Sequence, residues 1–218
     1  MALLMCDLDD TLVVRAPVFR AWAKELVAEG GHDAAVVDWI VEQDRGGHRP
    51  RHELHAELAG LPGYDVPLEE FSEDQLERVG GRYRLTAGVR AAVDEARRLG
   101  WGLAVVTNGP VEQQTRKIEA AGLDRLVDAV CISEEVGAAK PDPAIFHRAA
   151  ERAGTTLEGA WMIGDNLDAD IAGAHAVGIR SVWVERADGW ISFESGTEPD
   201  LVATDFADAV RQVLEATR

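Results

Sequence analysis

Leu3-Leu4-Met5-Cys6-Asp7-Leu8-Asp9-Asp10-Thr11-Leu12 opens the chain with four apolar residues that run straight into three carboxylates. A short, unbroken apolar run reads as a strand covered on both faces, as in the interior of a parallel sheet. Asp7 and Asp9 stand two apart, and in extended chain such side chains start on the same side, while Leu8 and Asp10 point away. The stretch therefore predicts a buried strand that delivers two neighbouring carboxylates at its carboxyl end.

The rest of the chain shows what this strand joins. From about Arg84 onward, amphipathic segments alternate with short apolar runs, the signature of a parallel sheet covered by helices. Helices are predicted over 89–99, 112–121, 143–153, 168–177 and 206–216, and strands over 101–106, 128–132, 160–163, 180–184 and 200–202. Between the first strand and this alternation, apolar residues fall at helical spacing: Val18, Trp22, Leu26 and Val27, then Val36, Val37, Ile40 and Val41. Helices over 52–58 and 69–79 complete that stretch, with a loop at Gly60-Leu61-Pro62-Gly63. The expected architecture is α/β: a Rossmann-like parallel sheet core, residues 1–14 and 83–218, with an inserted all-helical cap domain, residues 15–82. Placed directly after the acidic cluster, the insert is positioned to serve as a lid.

The 218 residues are 46% hydrophobic and 28% charged, the composition of an ordinary globular chain, with no long apolar stretch that could span a membrane. A net charge of -17 repels polyanions, so nucleic-acid polymers are excluded as partners, whereas a small phosphorylated metabolite can still be held by local positive charge. Cys6 and Cys131 lie in apolar runs and read as buried, reduced strand residues. With no basic leader ahead of Asp7, a cytoplasmic location is expected.

Ligands of open parallel sheets bind at the carboxyl ends of strands, and four of these ends are polar here. The first carries Asp7 and Asp9, the second Thr107-Asn108-Gly109, the third is followed by Lys140-Pro141, and the fourth runs into Gly164-Asp165-Asn166-Leu167-Asp168-Ala169-Asp170. Carboxylates crowded together repel unless a cation lies among them, and an all-oxygen set without Cys or His suits Mg²⁺ rather than zinc. Transfer of a phosphoryl group requires a nucleophile, a proton donor for the leaving alcohol, and positive charge on the equatorial oxygens. Asp7 can attack phosphorus, Asp9 can serve as acid and then base, and Thr107, the amides of Asn108 and Gly109, and Lys140 can hold the phosphoryl oxygens.

With these motifs in this order, the chain resembles the haloacid dehalogenase-like hydrolases, in the subgroup with a helical cap inserted after the first strand. Asp7-Leu8-Asp9-Asp10-Thr11 is similar to the first family motif, Thr107 to the second, Lys140 to the third, and Gly164-Asp165 with Asp170 to the fourth. The resemblance implies Asp7 as nucleophile, Asp9 as acid and base, and Mg²⁺ held by the Asp7 side chain, the Asp9 main-chain carbonyl and Asp165, with Asp170 as a more distant metal partner. Asp10 stands where glycine is common, Asn166 where serine is common and Ala169 where asparagine is common. Because family dehalogenases lack the second aspartate of the first motif, Asp9 points to phosphate esters. Thr107-Asn108-Gly109 followed by Gln113, Gln114 and Lys117 is similar to members acting on nucleoside monophosphates or acylneuraminate 9-phosphate.

Arg45, His48, Arg49, Arg51, His52 and His55 form the most basic stretch of the acidic chain, and Arg45 and Arg49 are read as substrate-specificity residues. The tryptophans read as packing residues, Trp190 least clearly, and His147 and His175 as helix-packing residues. The expected activity is a phosphatase acting on a small phosphomonoester. A phosphomutase, a dehalogenase and a non-catalytic binding module of the same fold are the rivals.

Overall fold

The computed structural model describes residues 2–47, 49–185 and 196–217, so the readings of His48 and Trp190 lie outside the described residues. The chain forms two compact units: Met1–Val13 with Arg84–Arg218, and Val14–Tyr83.

In the first unit, strands β1 (Leu3–Cys6), β2 (Gly102–Thr107), β3 (Ala129–Ile132), β4 (Trp161–Gly164), β5 (Arg180–Val184) and β6 (Leu201–Ala203) make one sheet in the order β3-β2-β1-β4-β5-β6. Every pairing is parallel. This is the α/β, Rossmann-like arrangement that the alternating pattern predicts. β1, β2 and β4 are buried at every residue, which is why they read as continuous apolar runs rather than as alternating ones.

The second unit is helical among its described residues: α1 (Arg15–Glu29), α2 (Val36–Asp44), α3 (Arg51–Leu58) and α4 (Leu68–Asp74). The helix expected over 69–79 widens after Asp74 into a π turn, Gln75–Val79. Phe19, Trp22, Ile40, Leu54, Leu58 and Phe71 fill its core. Inside it the Arg15 guanidinium, 5% exposed, donates to both oxygens of Asp44, 1% exposed, and Arg51 reaches the same carboxylate at 3.4 Å.

Helices of the first unit follow local signals. α5 (Ala87–Arg98) starts where Thr86 accepts a hydrogen bond from the Val89 amide. α6 (Val111–Ala121) stops at Gly122, whose φ of 70° is left-handed and free of steric cost for glycine. After the single turn α7 (Ser133–Val136), α8 (Pro143–Arg152) combines an Asp142 cap with proline in its first turn. α9 (Ala172–Ala176) and α10 (Phe206–Ala216) complete the unit. Ile145, Phe146 and Ala149 of α8 pack with Leu3, Met5, Val106 and Met162 on one face of the sheet. Burying Ile145 and Phe146 alone contributes about 1.5–3 kcal/mol each.

Cys6 and Cys131 are buried and free, as read from the sequence. Trp22 and Trp161 are buried, whereas His147 and His175 are exposed on α8 and α9, which corrects their reading as packing residues. The apolar stripe of α8 is Ile145, Phe146, Ala149 and Ala150, and His147 falls on the opposite side. No helix of the described residues is long and apolar enough to cross a membrane.

Candidate active site

β1 lies between β2 and β4, where the strand order reverses, and open parallel sheets bind ligands at the carboxyl ends of the strands beside such a switch point. Cys6 pairs with Val105 on one side and Ile163 on the other, and the Asp7 amide donates to the Ile163 carbonyl at 2.9 Å. This register brings Asp7, Thr107 and Gly164-Asp165 to one edge of the sheet.

Lys140 enters the cluster from the loop between α7 and α8. Its ammonium is buried and donates to Asp7 and, at 2.6 Å, to Asp170. Asn108 clamps the backbone that carries it: the Asn108 side chain donates to the Lys140 carbonyl at 2.9 Å and accepts from the Lys140 amide at 2.8 Å. The Asn108 side chain is thus committed to positioning Lys140, which leaves its main-chain amide as the group read for the phosphoryl oxygens. The Gly109 amide donates to Ser133 Oγ at 2.9 Å, so it too is engaged within the protein.

Asp165 and Asp170 reach the cluster from the end of β4. Asp7, Asp165 and Asp170 each place a carboxylate oxygen within 4.8 Å of the others. Asp170 is fully buried and accepts from the Asn166 amide at 3.0 Å as well as from Lys140. It also packs so closely on Gly164 that a Cβ there would lie 2.6 Å from Asp170 Cβ, and nearer still to the carboxylate. Asn166 accepts from the amides of Asp168 and Ala169, holding the turn that presents Asp170. Asp170 is thus fixed by Lys140, the Asn166 amide and Gly164, although Ala169 stands beside it.

Asp9 points its carboxylate elsewhere. Lys117 Nζ lies 2.8 and 2.6 Å from its two oxygens, and Gln114 donates to it at 3.1 Å and to Thr107 Oγ1 at 2.6 Å. Asp10 adopts a φ of 56°, a left-handed conformation that glycine accepts freely and aspartate tolerates better than most residues.

Electrostatics follow from the crowding. Burial pushes the Asp7 carboxyl up to about 7, with Asp170 and Asp9 adding to the rise and Lys140 opposing it. Burial alone would pull Lys140 down, but Asp170 and Asp7 more than reverse it, so the ammonium keeps its proton well above the usual lysine range. Three carboxylates against one buried lysine form an oxygen-only donor set with room in its charge balance for a hard divalent cation.

Three side chains have contacts here that sequence does not record. The apolar run around Trp183 of β5 predicts packing, yet its indole donates to the Asp165 carbonyl at 2.8 Å. The contacts of Gln114 and Lys117 with Asp9 were unread as well, although their three-residue separation places both on one face of α6. In the helical unit, Arg45 is exposed, whereas Arg49 is held by Gln43 at 2.9 Å and Glu57 at 3.1 Å.

Comparison with known proteins agrees with this geometry. A phosphoserine phosphatase of Thermus thermophilus is 33% identical over 95% of this chain and 97% of its own length. A ribulose-1,5-bisphosphate 5-phosphatase of Halopiger xanaduensis is 30% identical over 91% of this chain and 90% of its own. Among solved structures, a putative β-phosphoglucomutase of Thermotoga maritima shares the fold with a TM-score of 0.77, at 18% identity and over the full length of both chains. Residues 1–178 match the haloacid dehalogenase-like hydrolases, and with the four strand-end motifs gathered on one edge of a parallel sheet, the chain belongs to that family.

Proposed function

We propose that the protein hydrolyses small phosphate monoesters through an aspartyl phosphate on Asp7. The observation that carries this is the buried Lys140 ammonium bridging Asp7 and Asp170, with Asp165 in the same cluster, at the carboxyl end of β1. A carboxylate beside a fixed cation is the arrangement an incoming phosphoryl group needs for in-line attack. An Asp7 oxygen attacks phosphorus and the bond to the alcohol oxygen breaks as Asp9 gives that oxygen a proton. Asp9 then takes a proton from water, the resulting oxygen attacks the same phosphorus, and inorganic phosphate leaves with Asp7 restored. Lys140 and Thr107 hold the phosphoryl oxygens, joined by the Asn108 main-chain amide, while the Asn108 side chain keeps Lys140 in place.

The oxygen-only donor set fits Mg²⁺, with Asp7, Asp165 and the Asp9 carbonyl as its holders and Asp170 beyond them. When bound, the ion supplies positive charge to the phosphoryl oxygens and offsets the crowded carboxylates. The two full-length relatives named above act on small phosphorylated carbon compounds, and that class, rather than either substrate, is carried over. We assign residues 15–82 the role of a cap that covers the ester and excludes water, with exposed Arg45 a better candidate than the tethered Arg49 for a second anionic group. Two buried free cysteines support a reducing compartment.

The test is phosphate release across a panel of sugar phosphates, nucleotides, phosphoserine and phosphoglycolate with Mg²⁺ present. Asp7→Asn is expected to lower turnover at least 10³-fold with the fold intact. Turnover near the parent level would overturn the covalent route.

A further inference from the structure

Asp9 sits in the irregular segment after β1, where its backbone makes an isolated bridge to Val13, and its side chain is about a quarter exposed. Two side chains of α6 take hold of it. Lys117, 3% exposed, contacts both carboxylate oxygens, and Gln114, 1% exposed, contacts one of them.

Both partners are long, polar and almost fully removed from water, which is costly for a lysine unless an anion meets it. A solvated surface pair would leave such groups exposed, so this helix face is built around Asp9. Gln114 also donates to Thr107 Oγ1 at 2.6 Å, and it packs against Gly109, where an added Cβ would meet Gln114 Cγ at 3.1 Å. One side chain therefore ties the proton-transfer residue to the loop that receives the phosphoryl group.

We propose that Gln114 and Lys117 are positioning residues that fix the direction of the Asp9 carboxylate relative to Thr107, and so set the efficiency of proton delivery to the leaving alcohol. This rests on the reading of Asp9 as general acid. Displacing a catalytic group by about 1 Å can cost 10²-fold in rate, whereas a merely structural defect lowers the rate on every ester alike. The distinguishing readout is therefore the leaving group. An alkyl phosphate needs the proton as its oxygen departs, and p-nitrophenyl phosphate scarcely needs it.

The experiment measures kcat/KM for an alkyl phosphate and for p-nitrophenyl phosphate in the parent, Lys117→Met, Lys117→Arg, Gln114→Leu and Asp9→Asn, all with saturating Mg²⁺. Lys117→Met and Gln114→Leu are expected to lose at least about 10-fold more on the alkyl ester than on the aryl ester. Lys117→Arg, which keeps the cation, is expected to recover part of the difference. Equal losses on both esters, or no loss, would overturn the proposal. If Lys117→Met does not fold, Gln114→Leu decides by the same ratio. Should Asp9→Asn itself show no preference for the aryl ester, the assignment of Asp9 as acid has failed. A preference in Asp9→Asn without one in the α6 variants refutes the positioning role alone.

Discussion

Gly164→Ala places a methyl group where the structure has none to spare. The added carbon would lie 2.6 Å from Asp170 Cβ and overlap its carboxylate. Two responses are open. If Asp170 stays, the strain of overpacking costs about 1–3 kcal/mol. If Asp170 moves, it leaves the Asn166 amide and the Lys140 ammonium, the latter a charge-assisted bond worth about 1.5–3 kcal/mol. The cheaper route sets the loss, and replacing a strand glycine by alanine returns up to about 1 kcal/mol of chain entropy, leaving a net loss of up to about 2–3 kcal/mol. Because Lys140 is held between Asp7 and Asp170, displacing Asp170 also lets the ammonium drift toward Asp7, and phosphate release is expected to fall at least 10-fold. Urea unfolding followed by circular dichroism gives the first quantity and a phosphate assay the second. Gly88→Ala is the control: in α5 its added Cβ meets nothing closer than 3.8 Å, and that variant is expected to gain about 0.5–1 kcal/mol. A Gly164→Ala protein as stable and as active as the parent would refute the close packing of Asp170 on β4.

Asp44→Ala would leave the Arg15 guanidinium buried without its main anion and is expected to cost about 3–5 kcal/mol by urea unfolding. Arg15→Met in the same chain should recover much of that loss, and additive losses would contradict the pairing. The pH dependence of the metal-free protein offers a further check. Asp7 titrates near 7 when folded and near 3.8 otherwise, so the folded state binds the extra proton between these values. The stabilisation is complete below about pH 4 and is lost as pH rises through about 7. The stability difference between parent and Asp7→Asn, measured with chelator present, should accordingly shift against the parent across that window. A difference independent of pH would show that Asp7 is not the group concerned.

Much of the fold is legible in the residues because burial leaves a periodic trace. β1, β2 and β4 are apolar throughout since helices cover both faces of their sheet, and Gly122 and Asp142 mark helix ends by local chemistry alone. The π turn at Gln75–Val79 left no such trace, because the apolar spacing of an α-helix tolerates one wider turn. His147 and His175 were misread because membership of a helix does not say which side faces the core.

The acidic cluster divides along the same line. Asp7, Asp9, Thr107 and Asp165 could be named from their places at strand ends, and Lys140 from its place in the connection after β3, since chain direction alone sends those ends to one edge of a parallel sheet. What each side chain does there depends on neighbours far away in the chain, and no local pattern records them. Asn108 became a clamp on Lys140, and Trp183 a partner of the Asp165 carbonyl, only when separate strands and loops were brought together. The same holds for Asp9: its identity and its distance of two residues from Asp7 are written in the sequence, but its grip by Gln114 and Lys117 arises from bringing α6, more than a hundred residues along the chain, to the segment that follows β1. Sequence thus determined which chemical groups meet at the edge of the sheet, because periodicity and strand direction are local properties. Tertiary structure alone decided which way each group points, because orientation is set by contacts between segments distant in the chain.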